Sequence, residues 1–289
     1  MVKENPIGPR LGAHKSIAKS IDLAVDRGLQ STCECLQIFT RPPRRWEAGK
    51  QALSPEIIKR FIQKSVAANY YDTAIHMPYL PNLASPDDSL YEKSVRVLIQ
   101  EVEKMVILKV PYVITHLGSP KNRDEKFAAD RIGKALNKAR KHMEISTMIL
   151  LENSTAKRKT WGSKVEHFER IFGNMEEEQF FGICFDTAHA FSSGYDISSP
   201  EGLNEVIDKI EEVIGKNKIK IFHINDSKGP LGSGIDQHEH IGKGYIGLEC
   251  FIELMQNPRF KKLSMILETP KDQEISDQQN LELLRNFRL

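Results

Sequence analysis

The chain has 289 residues, of which 40% are hydrophobic and 28% are charged, a composition typical of a folded domain with a sizeable core. A formal net charge of +2 does not by itself indicate a protein that binds nucleic acid, so evidence for such a role must come from local basic clusters. No stretch approaches the roughly 18 apolar residues of a membrane span, and the N-terminal MVKENPIGPR lacks the apolar segment of a secretory signal. With only four scattered cysteines, we expect a cytoplasmic protein with reduced thiols.

Eight short apolar runs recur along the chain, and each is rich in Ile, Val, Leu or Phe, as buried parallel strands are. In chain order the runs are LGAH (11–14), LQIF (36–39), TAIHM (73–77), VITHL (113–117), MILLEN (148–153), GICFDTAH (182–189), IKIFHIND (219–226) and SMILETP (264–270). Segments with helical spacing lie between the runs, at 54–69, 88–108, 123–143 and 199–215. This alternation predicts βαβ units with right-handed crossovers. With no linker or low-complexity tract, it predicts a single (β/α)8 TIM barrel over residues 1–289.

Polar side chains that could bind metal lie at the ends of most of these runs. Active sites of such barrels are built at the C-terminal ends of the strands and in the loops that follow them. A single strand-end His or Glu is more often a hydrogen-bonded rim residue than a ligand. Many such groups converging on one face would be costly to bury without a shared partner. The nine candidate ligands are His76, His116, Glu152, Asp186, His189, His223, Asp236, His238 and Glu268.

The donor types and their charge indicate which ions these residues hold. Imidazole nitrogens and carboxylate oxygens without thiolates suit Zn²⁺, with Mn²⁺ or Fe²⁺ as the alternative at one site. With neutral imidazoles the four carboxylates bring a charge of −4, so three divalent ions leave +2 to meet a phosphodiester and an attacking hydroxide. The sequence therefore predicts three Zn²⁺ per chain. Glu152 and Glu268, each ending an apolar strand, are the catalytic candidates, since they would hold the ions that produce hydroxide without a protein nucleophile.

The other histidines receive different interpretations. His142 and His167 fall within helical segments, and we expect both to be solvated. His14 ends the first run and is expected at the rim or behind the ligands. His240 is equally compatible with loop structure and with substrate contact.

Two loops that follow strands combine cations with tryptophan. They contain Arg41, Arg44, Arg45 and Trp46, and Lys157, Arg158, Lys159 and Trp161. At the rim, the cations would meet the backbone phosphates of a nucleic acid, and the aromatic rings would stack on or displace its bases. Lys228 and Lys243 also follow strands and would extend this surface. The Tyr79–Leu80 pair is a candidate apolar wedge, although such a dipeptide alone is more often part of a core.

Six segments of the chain closely resemble the endonuclease IV family of trinuclear-zinc apurinic/apyrimidinic (AP) endonucleases. The matching segments are HMPYLPNLASP (76–86), THLGSP (115–120), LLENSTA (150–156), FDTAHAFSSGYDI (185–197), FHINDSKGPLGSGIDQHEHIGKGYIG (222–247) and ILETP (266–270). All nine candidate ligands match. The resemblance implies that His76 and His116 hold one zinc, bridged by Glu152 to a second on Asp186, His223 and Glu268. It implies a third zinc on His189, Asp236 and His238.

The resemblance also implies the reaction. It implies hydrolysis of the DNA phosphodiester 5′ to an abasic site, giving a 3′-hydroxyl and a 5′-deoxyribose phosphate, with removal of 3′-blocking groups as a further activity. The expected partner is double-stranded DNA containing abasic sites, bound by a monomer that is nucleoid-associated in a prokaryote, with Arg44, Tyr79 and Leu80 inserted at the lesion. Two segments depart from the family pattern, the prolines of RPPRRW (41–46) and KRKTWGS (157–163) in place of a glycine-rich stretch. The alternatives are a xylose-isomerase-like sugar isomerase or epimerase, which needs fewer metals, and a damaged-DNA binding module without turnover.

Overall fold

Eight parallel strands close into a barrel in the computed structural model, which describes residues 8–46, 53–271 and 275–288, and only the backbone of Arg158. The barrel strands are β1 (Arg10–Lys15), β2 (Cys35–Ile38), β3 (Ala74–His76), β4 (Tyr112–Thr115), β5 (Met148–Glu152), β6 (Phe181–Asp186), β7 (Ile219–His223) and β10 (Ser264–Leu267). Between β7 and β10 lies a short antiparallel pair, β8 (Asp226–Ser227) and β9 (His238–Glu239). Strand β10 pairs with both β7 and β1 and so closes the ring. Each of the eight apolar runs overlaps one barrel strand, which confirms the predicted (β/α)8 fold.

Helices follow the barrel strands, and all except the buried α6 form the outer layer. They are α1 (Leu23–Gln30), α2 (Pro55–Ala67), α3 (Asp88–Ile107), α4 (Glu125–Arg140), α5 (Val165–Phe172), α6 (Thr187–Ser192), α7 (Pro200–Ile214), α8 (Leu248–Gln256) and α9 (Asp277–Asn286). The four segments expected to be helical contain α2, α3, α4 and α7. At the start of α2 the Ser54 hydroxyl accepts a hydrogen bond from the Ile57 amide, as its N-cap position predicts. Among the described residues, no helix combines the length and apolar character needed to cross a membrane.

A layer of small and apolar side chains fills the barrel interior below the rim. Seven strands each contribute one fully buried residue, namely Cys35, Ala74, Ile114, Leu150, Cys184, Ile221 and Ile266. Strand β1 contributes Gly12, which pairs with Cys35 and Ile266. A Cβ at Gly12 would lie 2.1 Å from the Cys35 carbonyl oxygen, so a glycine is required at this position. All four cysteines are buried and free of disulfides.

Directly above this apolar layer, every strand presents a polar side chain. Because side chains on a strand alternate between its two faces, the residue two positions beyond each interior residue points back into the barrel. In strand order these residues are His14, Gln37, His76, His116, Glu152, Asp186, His223 and Glu268. The period of the strands therefore places six of the nine candidate ligands in one ring at the C-terminal end of the barrel.

Candidate metal centre

Glu152 lies at the centre of the ring, where it is fully buried. Its Oε2 is 2.9 Å from His76 Nε2 and 3.4 Å from His116 Nε2. Its Oε1 is 3.0 Å from His223 Nδ1 and 3.5 Å from His189 Nδ1. One carboxylate therefore faces four imidazoles, with two on each of its oxygens.

A second group of donors forms around His223. Its Nδ1 is 3.5 Å from Glu268 Oε2 and 3.8 Å from Asp186 Oδ2, in addition to the contact with Glu152. The Asp186 carboxylate is held by two other contacts. Its Oδ1 accepts from the His189 amide at 2.8 Å, and its Oδ2 accepts from Asn225 Nδ2 at 2.8 Å. These bonds fix the Asp186 carboxylate towards the cluster.

A third group combines α6 with the loop between β8 and β9. His189 Nε2 is 3.0 Å from Asp236 Oδ1, and His189 Nδ1 donates to the Asn153 carbonyl oxygen at 2.9 Å. His238 Nε2 is buried without a hydrogen-bond partner among the described residues and lies 3.7 Å from Asp186 Oδ2. An orphaned, buried imidazole nitrogen beside a carboxylate is costly unless another group occupies the space between them.

The donor set fits a cluster of divalent ions. Ligand atoms within 4.8 Å of one another occur in overlapping groups: His76, His116 and Glu152; Glu152, Asp186, His223 and Glu268; His76, His223 and Glu268; and Asp186, His189 and His238. The first two groups coincide with the ligand sets expected for two of the zincs. The last group contains Asp186 in place of the expected Asp236. Asp236 instead contacts the Nε2 atom of His189, whereas Asp186 lies near its Nδ1 atom. Buried nitrogen and oxygen donors of this kind are the ligands that zinc prefers in the absence of thiolates.

The charges of these groups depend strongly on one another. Burial alone would raise the pKa of the Glu152 carboxyl, but His116 and His223 beside it hold that pKa well below its usual range. Burial alone would lower the pKa of His189, but the carboxylates of Asp186 and Asp236 raise it to about 10. The hydrogen bond from His189 in turn lowers the pKa of Asp236 to about 2. Divalent ions bound by these imidazoles would displace any protons on the ligating nitrogens, so metal affinity should depend on pH.

Several residues that hold the ligands in place were not predicted. Asn153 donates to the Asp186 carbonyl and accepts from the Asp186 amide. Asn225 donates to the Asp186 carboxylate and accepts from the Glu268 amide. Thr187 accepts from the Asn225 amide and donates to its carbonyl. Their position in the sequence could have indicated this role, because each follows a candidate ligand by one or two residues inside an apolar run.

An open cavity of about 900 Å³ lies above the cluster. It is lined by Arg44, Tyr79, Pro81, His116, Gly118, Ser154, Thr155, Thr160, His189, Lys228, Asp236, Gln237, His238, Glu268 and Pro270. The lining joins candidate ligands to three of the residues expected to contact DNA. The candidate metal site is therefore reached from the same face as the first basic loop.

Comparison with known proteins identifies the family. Residues 21–287 match the family described as Xylose isomerase-like TIM barrel. A probable endonuclease 4 of Methanoculleus marisnigri is 40% identical over 278 residues, which span 96% of this chain and 98% of that relative. The chain belongs to the endonuclease IV family. The crystal structure of endonuclease IV from Thermus thermophilus is similar, with a TM-score of 0.85 and 32% identity over 96% of this chain and 98% of that one.

A D-tagatose 3-epimerase-like protein shares the barrel, with a TM-score of 0.73 and 22% identity over 96% of each chain. At this identity the likeness shows the fold alone. The likeness agrees with the barrel fold expected for a sugar isomerase or epimerase, but it does not support that reaction.

Within this endonuclease IV family member, the wedge pair and the first basic loop lie side by side. Tyr79 is 56% exposed and Leu80 is half-buried. The Tyr79 amide donates to the Pro43 carbonyl at 3.0 Å, and its ring packs on Phe39 with centroids 5.6 Å apart. Arg44 is exposed at the cavity. The three residues expected to enter DNA therefore share one side of the rim.

Two residues expected on the DNA-facing surface are buried, and this part of the prediction is wrong. Arg41 is 2% exposed because its Nε pairs with the fully buried Glu101 at 2.6 Å. Trp161 is 3% exposed and stacks on the His167 ring at 4.5 Å. Trp46 is half-buried, and the Lys93 ammonium group lies 4.3 Å from its ring centroid. Both tryptophans thus support their loops from within.

The expectation that His167 is solvated is also wrong. Its imidazole is buried, and Nδ1 accepts a hydrogen bond from the Gly162 amide at 3.1 Å. Burial lowers its pKa to about 4. His142 is 41% exposed and pairs with Glu103, in agreement with the prediction. His240 is buried and bonds to Asn280 through Nδ1 at 2.9 Å, which favours the loop-structure interpretation.

Of the remaining cations expected to contact DNA, Lys228 lines the cavity. Lys157 and Lys159 are exposed on the second basic loop, whereas the side chain of Arg158 lies outside the described residues. Lys228 and Lys243 are also exposed, and Lys228 lies 3.7 Å from a Glu239 carboxylate oxygen.

The loop that carries Lys243 is tied to the barrel by one buried carboxylate. Asp226 accepts hydrogen bonds from the backbone amides of Gly242, Gly244 and Ile246 at 2.9–3.0 Å. Nothing in the sequence pattern indicated this role, because Asp226 is one more polar residue after β7. These bonds fix the backbone on both sides of Lys243.

Proposed function

We propose that this protein is a zinc-dependent AP endonuclease that hydrolyses duplex DNA 5′ to an abasic site, leaving a 3′-hydroxyl and a 5′-deoxyribose phosphate. The observation that carries the proposal is the set of overlapping donor groups that share Glu152 and Asp186 beneath a cavity bordered by cations. The names of the endonuclease relatives support the same reaction. We include removal of 3′-blocking groups, three Zn²⁺ per chain, a monomeric state and a cytoplasmic location in the proposal.

The protein's own groups prepare the site for that chemistry. His76 Nδ1 donates to the Met77 carbonyl at 2.7 Å, which leaves Nε2 free to face the cluster. Glu152 and Asp186 each stand between two donor groups, as a bridging carboxylate must. Divalent ions bound there would supply hydroxide from water at neutral pH and positive charge for the phosphate. Asp236 and His238 lie at the edge of the cavity, where the leaving 3′-oxygen of a substrate could be met.

The DNA-facing residues supply the recognition. Tyr79 and Leu80 would take the place of the abasic nucleotide in the base stack, with Arg44 beside them. Unstacking costs a few kcal/mol and is easiest where a base is already missing, which gives selectivity without reading a base. Lys157, Arg158, Lys159, Lys228 and Lys243 would meet the phosphate backbone.

The test is nicking of a duplex that carries one synthetic abasic site, with and without chelator. The Glu152→Gln variant should remain folded and lose several orders of magnitude in turnover, because a neutral amide cannot replace a carboxylate that belongs to two groups of metal ligands. The matched control is Glu166→Gln, which changes an exposed pair with Lys209 and should leave nicking intact. Elemental analysis of the wild type should give two to three zincs per chain. A reproducible value near one, with no recovery of metal or activity on adding zinc, would defeat the trinuclear proposal.

A further inference from the structure

Gln37 is the one amide in the ring of eight polar side chains at the barrel rim. It lies on β2, where it is fully buried, and no part of the proposed reaction uses it. An uncharged amide among imidazoles and carboxylates must make every one of its hydrogen bonds within the protein, because water cannot reach it. The contacts it makes therefore indicate its role.

The Gln37 amide touches two candidate ligands at once. Its Oε1 is 2.7 Å from His223 Nε2, and its Nε2 donates to Glu268 Oε1 at 2.6 Å. The same Nε2 lies 2.9 Å from His14 Nδ1. An amide carbonyl can only accept, so the nitrogen of His223 that faces it must carry the proton.

This arrangement decides which atoms are offered to a metal. With the proton on Nε2, the His223 Nδ1 lone pair points at Glu152, Asp186 and Glu268. With Oε1 of Glu268 held by the amide, its Oε2 is the oxygen that faces His223 Nδ1. Neither a carboxylate nor an apolar side chain at position 37 could do both, since the first repels Glu268 and the second bonds to neither ligand.

We propose that Gln37 is a positioning residue that fixes the His223 tautomer and the Glu268 carboxylate for binding of one zinc. The proposal rests on the proposed function in one respect, because it assumes that the cluster binds zinc. Groups that orient metal ligands in this way typically contribute roughly 10–100-fold to metal affinity.

The experiment compares zinc affinity in Gln37→Met with the wild type by competition against a chromogenic chelator. Methionine has similar length but cannot replace either hydrogen bond. The control is Cys35→Ala, which alters a buried side chain two residues earlier on the same strand without touching a ligand. We expect Gln37→Met to bind one of its zincs roughly 10–100-fold more weakly, and Cys35→Ala to match the wild type. Equal zinc affinity in Gln37→Met and the wild type would overturn the proposal.

A second measurement uses only the wild type, so it does not depend on whether a variant folds. In ¹⁵N-histidine NMR spectra of the zinc-loaded wild type, His223 should carry its proton on Nε2 and none on Nδ1. A proton on Nδ1 would overturn the proposal even if the wild type nicks abasic DNA. Conversely, a wild type that binds zinc with this tautomer yet fails to nick would contradict the proposed function and leave the role of Gln37 standing.

Discussion

Replacing Glu101 with glutamine should destabilise the protein strongly, although Glu101 lies on an outer helix and is not a candidate metal ligand. Its Oε1 accepts from Arg41 Nε at 2.6 Å and from Lys104 Nζ at 3.0 Å, and its other oxygen accepts from the Thr40 hydroxyl. Arg41 NH1 continues the network to the Trp46 carbonyl at 2.9 Å. One buried carboxylate on α3 therefore holds the start and the end of the first basic loop.

The expected magnitude follows from burial. Glu101 is 0% and Arg41 2% exposed, so the glutamine variant leaves a guanidinium group without a counter-charge in the protein interior. Removing one partner of such a buried pair typically costs about 3–5 kcal/mol. Exposed pairs contribute little, so Asp130→Asn, which breaks the exposed pair with Lys126, is the matched control and should leave the unfolding free energy unchanged.

Urea denaturation of the zinc-loaded protein measures the effect, and a double-mutant cycle isolates its cause. Adding Arg41→Met to Glu101→Gln should recover part of the lost stability, because the buried guanidinium group is then gone and only the more exposed Lys104 has lost its carboxylate partner. A loss below about 1 kcal/mol for Glu101→Gln would refute the reasoning about burial. Simple addition of the two single losses would show that the ion pair is not the source of the effect.

Two further predictions concern the DNA-facing loops. Changing Tyr79 and Leu80 together to alanine should reduce nicking of abasic duplex far more than hydrolysis of a small phosphodiester; equal losses on both substrates would indicate a packing defect. Changing Lys157 and Lys159 together to glutamine should weaken binding to every duplex and reduce the salt dependence of that binding. His167 has a folded-state pKa of about 4 against an ordinary 6.5, so its stabilising contribution is complete above pH 6.5 and is lost as the pH falls towards 4. The unfolding free energy of the wild type should therefore fall relative to His167→Asn by up to about 3 kcal/mol between pH 7 and pH 4, and parallel pH profiles would contradict this assignment, since metal loss is common to both proteins.

The barrel and its ligands could be predicted from the sequence because both depend on local periodicity. A strand that is apolar at one interior position presents the residue two places further on to the same interior. Ile114 and His116, or Leu150 and Glu152, are such pairs. The same rule applied to Cys35 points to Gln37, which was overlooked because glutamine is not a metal ligand.

The loop residues could not be assigned in this way, because their burial depends on partners that are remote in sequence. Arg41 is indistinguishable from Arg44 and Arg45 in the sequence, yet only Arg41 meets Glu101, sixty residues away. Trp161 likewise is buried by His167, a residue that helical spacing alone left on the surface.

For this reason, family membership predicts the ring of ligands better than it predicts the loops above the ring. The ring of six ligands is set by strand register, so a chain with the same strands and these six residues brings them together, whereas His189, Asp236 and His238 depend on α6 and the β8–β9 segment. The loops above the ring are set by side-chain networks. In this chain Arg41–Glu101 and Trp161–His167 anchor the two loops whose sequences depart from the family pattern. The ring of candidate ligands can therefore be predicted residue by residue, whereas the contacts of the loops must be measured on this protein.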